Sequence, residues 1–293
     1  MPFHQFVCEL ASADLQRAED ACARLGALAV SLVDAGDEPL FEPAPGETPL
    51  WRAVRLRALF ALTADPGLVA TTLAAVLGLP PAAVRMEHVE DRAWEREWLK
   101  DFRPMRFGRR LWVAPVGRQP EGAAAVVLEL DPGLAFGTGT HATTALCLEW
   151  LDQHVAGGER LLDYGCGSGI LALAALKLGA ATAVAFDIDP QALLATRQNA
   201  ARCRLDSRIT VADGAAAIEG LFDFVLANIL ARPLMELAPR LSAATRPGGR
   251  LVLAGMLDGQ SREVAEAYRP WFDIGPAAAR EGWTLLAGRR RAE

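Results

Sequence analysis

The chain has 293 residues, 52% of them hydrophobic, and a formal net charge of −6; that length suits one large or two ordinary domains, and the composition excludes a disordered chain. No apolar run reaches the roughly 18 residues of a membrane span, and residues 1–10 lack the basic start and apolar core of a signal peptide, so a cytoplasmic protein is expected. With 30 basic against 36 acidic residues, the chain has no basic surplus for a nucleic-acid substrate, and direct nucleic-acid binding is not expected.

Residues 3–10 read as a strand, 13–25 as an amphipathic helix, 27–33 and 51–62 as strands, 67–77 as a helix and 84–89 as a strand. That βαββαβ order is the split arrangement of ferredoxin-like α+β domains. Residues 34–49 between the second and third of these strands are rich in turn formers around Leu40 and Phe41. Residues 1–92 hold 13 acids and 7 bases, the whole net charge of −6, while residues 93–293 hold 23 of each. The asymmetry is either an ordinary solvated surface or the field of a front domain that steers a basic partner.

Residues 91–105 are charged, with Trp94, Trp98 and Phe102 at four-residue spacing. This is a single-stripe helix ending before Pro104, a linker between domain 1–90 and domain 106–293. Residues 111–113 and 125–130 follow as strand-like runs, and residues 145–154 as an amphipathic helix for which Thr140 or Thr143 is the expected N-cap. Beyond it strand-like and helix-like segments alternate: 160–164, 170–178, 182–187, 190–203, 208–212, 222–227, 231–244, 250–255 and 259–269. Alternation of this kind argues a parallel α/β sheet with helices on both faces. Residues 271–276 and 283–288 have no helix between them and read as a terminal hairpin with one antiparallel strand at the sheet edge.

The chemistry is concentrated in four places. An apolar run ends in Asp163, the glycines Gly165, Gly167 and Gly169 follow at alternate positions, and a helix begins at Ile170. Eighteen residues beyond Gly169 a second apolar run ends in Asp187. Glycines let a backbone approach a ligand closely at a strand-to-helix turn, and an acid at the end of the next strand accepts both ribose hydroxyls. The carboxylate of Asp163 beside the loop suits a cationic ammonium or sulfonium better than a pyrophosphate, which favours S-adenosylmethionine over NAD as the cofactor. An NAD-dependent oxidoreductase is the alternative from another class; the glycine spacing and the terminal hairpin both argue against it.

A further strand ends in Asn228, whose side-chain carbonyl, with a backbone carbonyl beside it, would accept from an amine and turn its lone pair toward a donor methyl. Asn228 is therefore the expected catalytic residue, by amine positioning. The loop 131–141 is expected to fold over the cofactor, with His141 in a structural role rather than as a base. Asp213 and Gly214 stand either near an adenine amine or in a simple turn. The five cysteines lack C-x-x-C spacing and are odd in number, and the four histidines are unpaired in sequence. Neither a disulfide framework nor a metal site is expected, and Cys166 is read as a small residue beside the ligand, not a nucleophile.

The runs 131–141, 163–172, 187–190 and 227–231, in this order, resemble the bacterial ribosomal protein L11 methyltransferase family. The resemblance covers nearly the whole chain. It implies a Rossmann-like class I methyltransferase sheet with an antiparallel C-terminal hairpin, preceded by a smaller ferredoxin-like substrate-recognition domain that moves relative to it. It also implies methyl transfer from S-adenosylmethionine to the N-terminal α-amino group and lysine ε-amino groups of ribosomal protein L11. Separately, a monomer that engages no membrane is expected. Cofactor contacts fall by the same resemblance on Thr144, Gly165, Asp187 and Asn228. Asp163 and Gly167 match the same loop, and Phe136 and Thr138 the lid. Ala142 stands where the family has proline, and Tyr164 where Phe or a smaller apolar residue is usual. The first ninety residues match more weakly, which leaves another protein, a small amine or RNA as alternative substrates.

Overall fold

A computed structural model describes residues 2–36, 49–89, 103–118, 120, 126–131 and 139–292. The chain divides into two units, Met1–Ala93 and Trp94–Glu293. Residues 91–102 of the expected helix over 91–105 lie outside the described residues; Arg103 and Pro104 are in neither helix nor strand, and Met105 opens a strand.

The first unit is one sheet with two helices on one face. Its strands are β1 (Phe3–Ala11), β2 (Ala29–Asp34), β3 (Ala53–Ala61) and β4 (Arg85–Val89). They lie in the order β2-β3-β1-β4, all antiparallel, which is the ferredoxin-like arrangement read from the element order. Alternation along β1 and β3 buries Phe6, Cys8 and Leu10 with Leu56, Ala58 and Phe60 against helix α1 (Leu15–Arg24) and helix α2 (Pro66–Leu77). α2 starts where it does because Asp65 Oδ1 accepts from the N–H groups of Gly67 and Leu68 and Pro66 takes the first helical position. Gly78, at φ +65°, closes it. The opposite face of the sheet has no helix among the described residues.

The second unit holds a seven-stranded sheet with helices on both faces. Its strands are β8 (Arg160–Tyr164), β9 (Thr182–Phe186), β10 (Ile209–Ala212), β11 (Phe222–Asn228), β12 (Thr245–Leu257), β13 (Phe272–Arg280) and β14 (Trp283–Arg290). The order is β10-β9-β8-β11-β12-β14-β13, with the first five parallel and β14 antiparallel to both neighbours. The antiparallel strand is thus inside the sheet, and β13 forms the edge, contrary to the expectation from the sequence. Burial gives the reason: Leu285 and Leu286 on β14 are fully buried, whereas β13 is mostly exposed and carries Pro276, which a central strand would not accommodate.

Two cores flank this sheet because the parallel strands alternate between its faces. Leu161, Ala183, Phe224 and Leu226 face helix α3 (Ala142–His154) and helix α4 (Ile170–Leu178); Leu162, Val184, Val225 and Ala227 face α6 (Ala231–Glu236), α7 (Ala238–Ala244) and α8 (Ser261–Tyr268). The sequence reads 231–244 as one helix. It breaks after Glu236 because Pro239 has no N–H for the carbonyl four residues back, and α7 starts afresh with that proline in its first turn. A three-stranded sheet, β5 (Met105–Phe107), β6 (Leu111–Pro115) and β7 (Val126–Leu130), adds Phe107, Leu111, Val113 and Leu128 to the first core. Its β5–β6 turn is anchored by buried Asp152 on α3, which accepts from the N–H groups of Arg109, Arg110 and Leu111.

Candidate active site

The strand order fixes where a ligand fits. From β8 the chain moves outward to β9 and β10, then crosses back to β11 on the other side, so the topological switch point lies between the carboxyl ends of β8 and β11. Tyr164 is paired with Ala227 across those strands, which sets Gly165 level with Asn228.

The loop after β8 is held from behind. Gly165, Gly167 and Gly169 all have positive φ, at +82°, +53° and +79°, where a side chain is strained. The N–H groups of Gly165 and Cys166 donate to the Phe186 carbonyl. Helix α5 (Pro190–Arg202) secures the outer side of the loop: Thr196 Oγ1 donates to the Gly167 carbonyl at 3.0 Å, and Asn199 Nδ2 to the Ser168 carbonyl at 3.0 Å. A Cβ on Gly169 would lie 2.8 Å from Thr196 Cγ2, so the turn has no room for alanine. No motif marks Thr196 and Asn199. Their signal is two polar residues on the buried stripe of α5 beside Ala192, Leu193 and Ala200.

Asp163 is fully buried beneath this loop. Its Oδ2 accepts from the Ala172 N–H at 3.0 Å, taking an N-terminal donor of α4 that the side-chain-less N-cap Gly169 leaves open. Its Oδ1 is buried with no partner among the described residues. Burial pushes the Asp163 carboxyl up to about 7; the Ala172 N–H offsets part of this, and the negative charge of Asp187 adds to it. Asp187 itself spans two backbone donors, Oδ2 accepting from Gly167 N–H at 2.9 Å and Oδ1 from Asp189 N–H at 3.0 Å. Each of its oxygens keeps a lone pair for a hydroxyl. Ile188 beside it is 90% exposed, an apolar surface between two aspartates that the acidic motif around it hides. Burial drives the Cys166 thiol far upward, so it is inert as a nucleophile.

The amine side of the site is built from β11 and α3. Asn228 Nδ2 donates to Thr144 Oγ1 at 3.3 Å, which orients the amide and leaves Oδ1 as the acceptor. Thr144 is buried, so among the described residues its visible role is to hold Asn228. Helix α3 starts three residues earlier than the sequence suggests. Its N-cap is His141 rather than either threonine: the ring Nδ1 accepts from the Thr143 N–H at 3.3 Å, and the ring meets the Trp283 edge at 4.9 Å. In the described residues His141 caps the helix start. Asp213 is exposed and ion-paired with Arg197, while Phe136 and Thr138 lie outside the described residues.

Two glycines position the turn after Asn228. A Cβ on Gly165 would meet Ile229 Cγ2 at 2.4 Å; a Cβ on Gly255, at φ +91° on β12, would meet the Ile229 carbonyl oxygen at 2.3 Å and its nitrogen at 2.9 Å. The first clash is with a side chain that has other rotamers, the second with backbone. Gly255→Ala should therefore displace Asn228 and lower kcat about tenfold, since small misplacements of a reacting group are costly. A variant with unchanged kcat would show that the Ile229 backbone yields without consequence.

The residues present fit S-adenosylmethionine. The glycine cradle admits a close ligand, Asp187 offers paired acceptors, and the orphaned Asp163 oxygen awaits a donor or a cation. Comparison with known proteins agrees. The family described as ribosomal protein L11 methyltransferase (PrmA) matches residues 2–291. The ribosomal protein L11 methyltransferase of Nitrosococcus oceani is 48% identical over 99% of this chain and 100% of its own length. That of Methylococcus capsulatus is 54% identical over 93% and 94% respectively. The crystal structure of a ribosomal protein L11 methylase from Lactobacillus delbrueckii subsp. bulgaricus superposes with a TM-score of 0.59 at 32% identity, covering 65% of this chain and all of that one. The sheet order, the glycine loop and the Asn228 turn thus converge with these matches, and the chain belongs to the ribosomal protein L11 methyltransferase family.

Proposed function

We propose that this protein transfers methyl groups from S-adenosylmethionine to the α-amino and lysine ε-amino groups of ribosomal protein L11, in the cytoplasm and as a monomer. The observation that carries the reading is the junction at the switch point, where the glycine loop and the Asn228 turn touch through Gly165 and Ile229. The cofactor supplies an electrophilic methyl on a sulfonium. Asp187 would hold the ribose hydroxyls, Ile188 would offer its exposed side chain to the adenine face, and Asp163, fully buried beneath the loop, would act on the cationic end through its charge.

The protein's part in the reaction is positioning. Asn228 Oδ1 accepts one N–H of a neutral amine, a neighbouring backbone carbonyl accepts the other, and the nitrogen lone pair is left aimed at the methyl. No strong base would be needed at that contact: the neutral amine would form the new N–C bond as the sulfonium S–C bond breaks and S-adenosylhomocysteine leaves, and the resulting ammonium would shed its surplus proton to solvent. The first unit, with no glycine loop of its own, serves to hold the protein substrate, which brings amines from different parts of one surface to a single site.

Incubation of the enzyme with purified ribosomal protein L11 and labelled S-adenosylmethionine, followed by mass spectrometry of peptides, tests the amine assignment. Label at both the N-terminal nitrogen and lysine side chains is expected. Label confined to another nucleophile, such as a hydroxyl or a carboxylate, would strip Asn228 of its amine-positioning role.

A further inference from the structure

The face of the first sheet that carries no helix among the described residues has a defined chemistry. Residues at odd positions of β1 point to it, and the strand register sets their neighbours: Val7 lies opposite Arg57 on β3 and opposite Arg85 on β4, and Glu9 opposite Arg55. These residues, with Glu87, line a cavity of about 440 Å³. The two acids are engaged at the margins. Glu9 Oε1 accepts from Arg55 at 2.7 Å, and Glu87 Oε2 from Gln5 Nε2 at 3.0 Å. Arg57 and Arg85 are exposed, and neither has an ion-pair or hydrogen-bond partner among the described residues. Neighbouring strands lie about 4.8 Å apart, so the two arginines stand roughly 10 Å apart across the apolar Val7. A carboxylate placed over Val7 would accept from both guanidinium groups, which are shaped for that fork.

We propose that this face is a carboxylate-binding slot in which Arg57 and Arg85 clamp an acidic side chain of the protein substrate. The inference rests on the reading of the first unit as the substrate-holding unit, and it names the chemistry of the contact. That chemistry runs opposite to the unit's net charge. Residues 1–92 carry an acid surplus, yet the slot itself presents three arginines to two glutamates. A net negative field acts at long range, within the ~10 Å screening distance at 0.1 M salt, whereas the slot acts on contact. The marginal carboxylates of Glu9 and Glu87 disfavour a polyanion lying along the face, and among the described residues the slot's lining has no aromatic ring for a base to stack on. A single acidic side chain on a folded protein fits; a nucleic-acid strand does not.

The test is steady-state methylation of ribosomal protein L11 by the full-length enzyme carrying Arg57→Glu and Arg85→Glu together. Both positions are exposed, and circular dichroism and thermal melting check the fold. KM for the protein substrate should rise ten- to a hundredfold, with kcat at saturation and S-adenosylmethionine affinity unchanged. The Arg57→Lys and Arg85→Lys pair should recover only part of the loss, because an ammonium keeps the charge but not the fork. An unchanged KM overturns the slot while leaving the methyl-transfer reading intact. Absence of L11 methylation by the wild type refutes that reading and the slot with it. Should the wild type instead bind a labelled single-stranded RNA that the double variant releases, with KM for L11 unmoved, the face is a nucleic-acid surface and the proposal falls.

Discussion

Replacing Asn228 with alanine is expected to lower kcat about a hundredfold or more while S-adenosylmethionine affinity changes only a few-fold. The reason is geometric. The amide is fixed by its hydrogen bond from Nδ2 to Thr144 Oγ1, and in the proposed role its free oxygen would hold the amine with its lone pair toward the methyl. Without it the amine samples many orientations, and loss of alignment alone is worth about that factor. On the proposed reading, cofactor binding would depend more on the glycine loop and Asp187, which follow β8 and β9. Stopped-flow methylation at saturating substrate, with calorimetric titration of the cofactor, separates the two quantities. Collapse of cofactor binding with high residual turnover at saturation would reverse the assignment.

The second large effect is expected at Asp163. A carboxyl raised from 3.8 to about 7 on folding binds its proton more tightly in the folded chain than in the unfolded one. The cofactor-free protein therefore loses stability as pH rises from about 4 to about 7, and the loss is complete above that window. Asp163→Asn removes the titration but keeps an acceptor for the Ala172 N–H. The free variant should melt above the wild type at pH 8, and the two should converge near pH 4. Cofactor affinity moves the other way. A bound cation favours the ionised carboxylate, so wild-type affinity should fall as pH drops below 7, and the variant should bind about a hundredfold more weakly at pH 8, with little pH dependence, because a buried charge pair has lost one member. Thermal melts and calorimetry at pH 6 and pH 8 read both trends. Parallel pH slopes in the two proteins would place the titrating group elsewhere.

Much of this architecture could be read from residue patterns because local chemistry and global fold agree. β1 and β3 alternate strictly, α2 carries its own start and stop signals, and β8 and β9 are short apolar runs that lead into Asp163 and Asp187. The motifs placed Asp163, Gly165, Gly167, Asp187 and Asn228 within one region, and the sheet brings them there. What residue patterns leave out depends on tertiary context. β5 is three residues long and exists only because Asp152, about forty residues away, gathers the turn behind it. The N-cap of α3 is a histidine, an uncommon choice whose ring is steadied by Trp283 on the last strand. Gly255 looks like any glycine near a strand end, and only the approach of the Ile229 backbone shows why a side chain is excluded there.

The order of strands across the large sheet also has a consequence for how the chain is made. β14 completes the hydrogen bonding of β12 on one side and β13 on the other, yet it is translated after every other strand of its sheet. Until it arrives, β12 shows a row of unpaired backbone donors and acceptors beside Leu251 and Leu253, and β13 has nothing to pair with. A nascent or nicked chain lacking β14 therefore presents an adhesive edge to its neighbours.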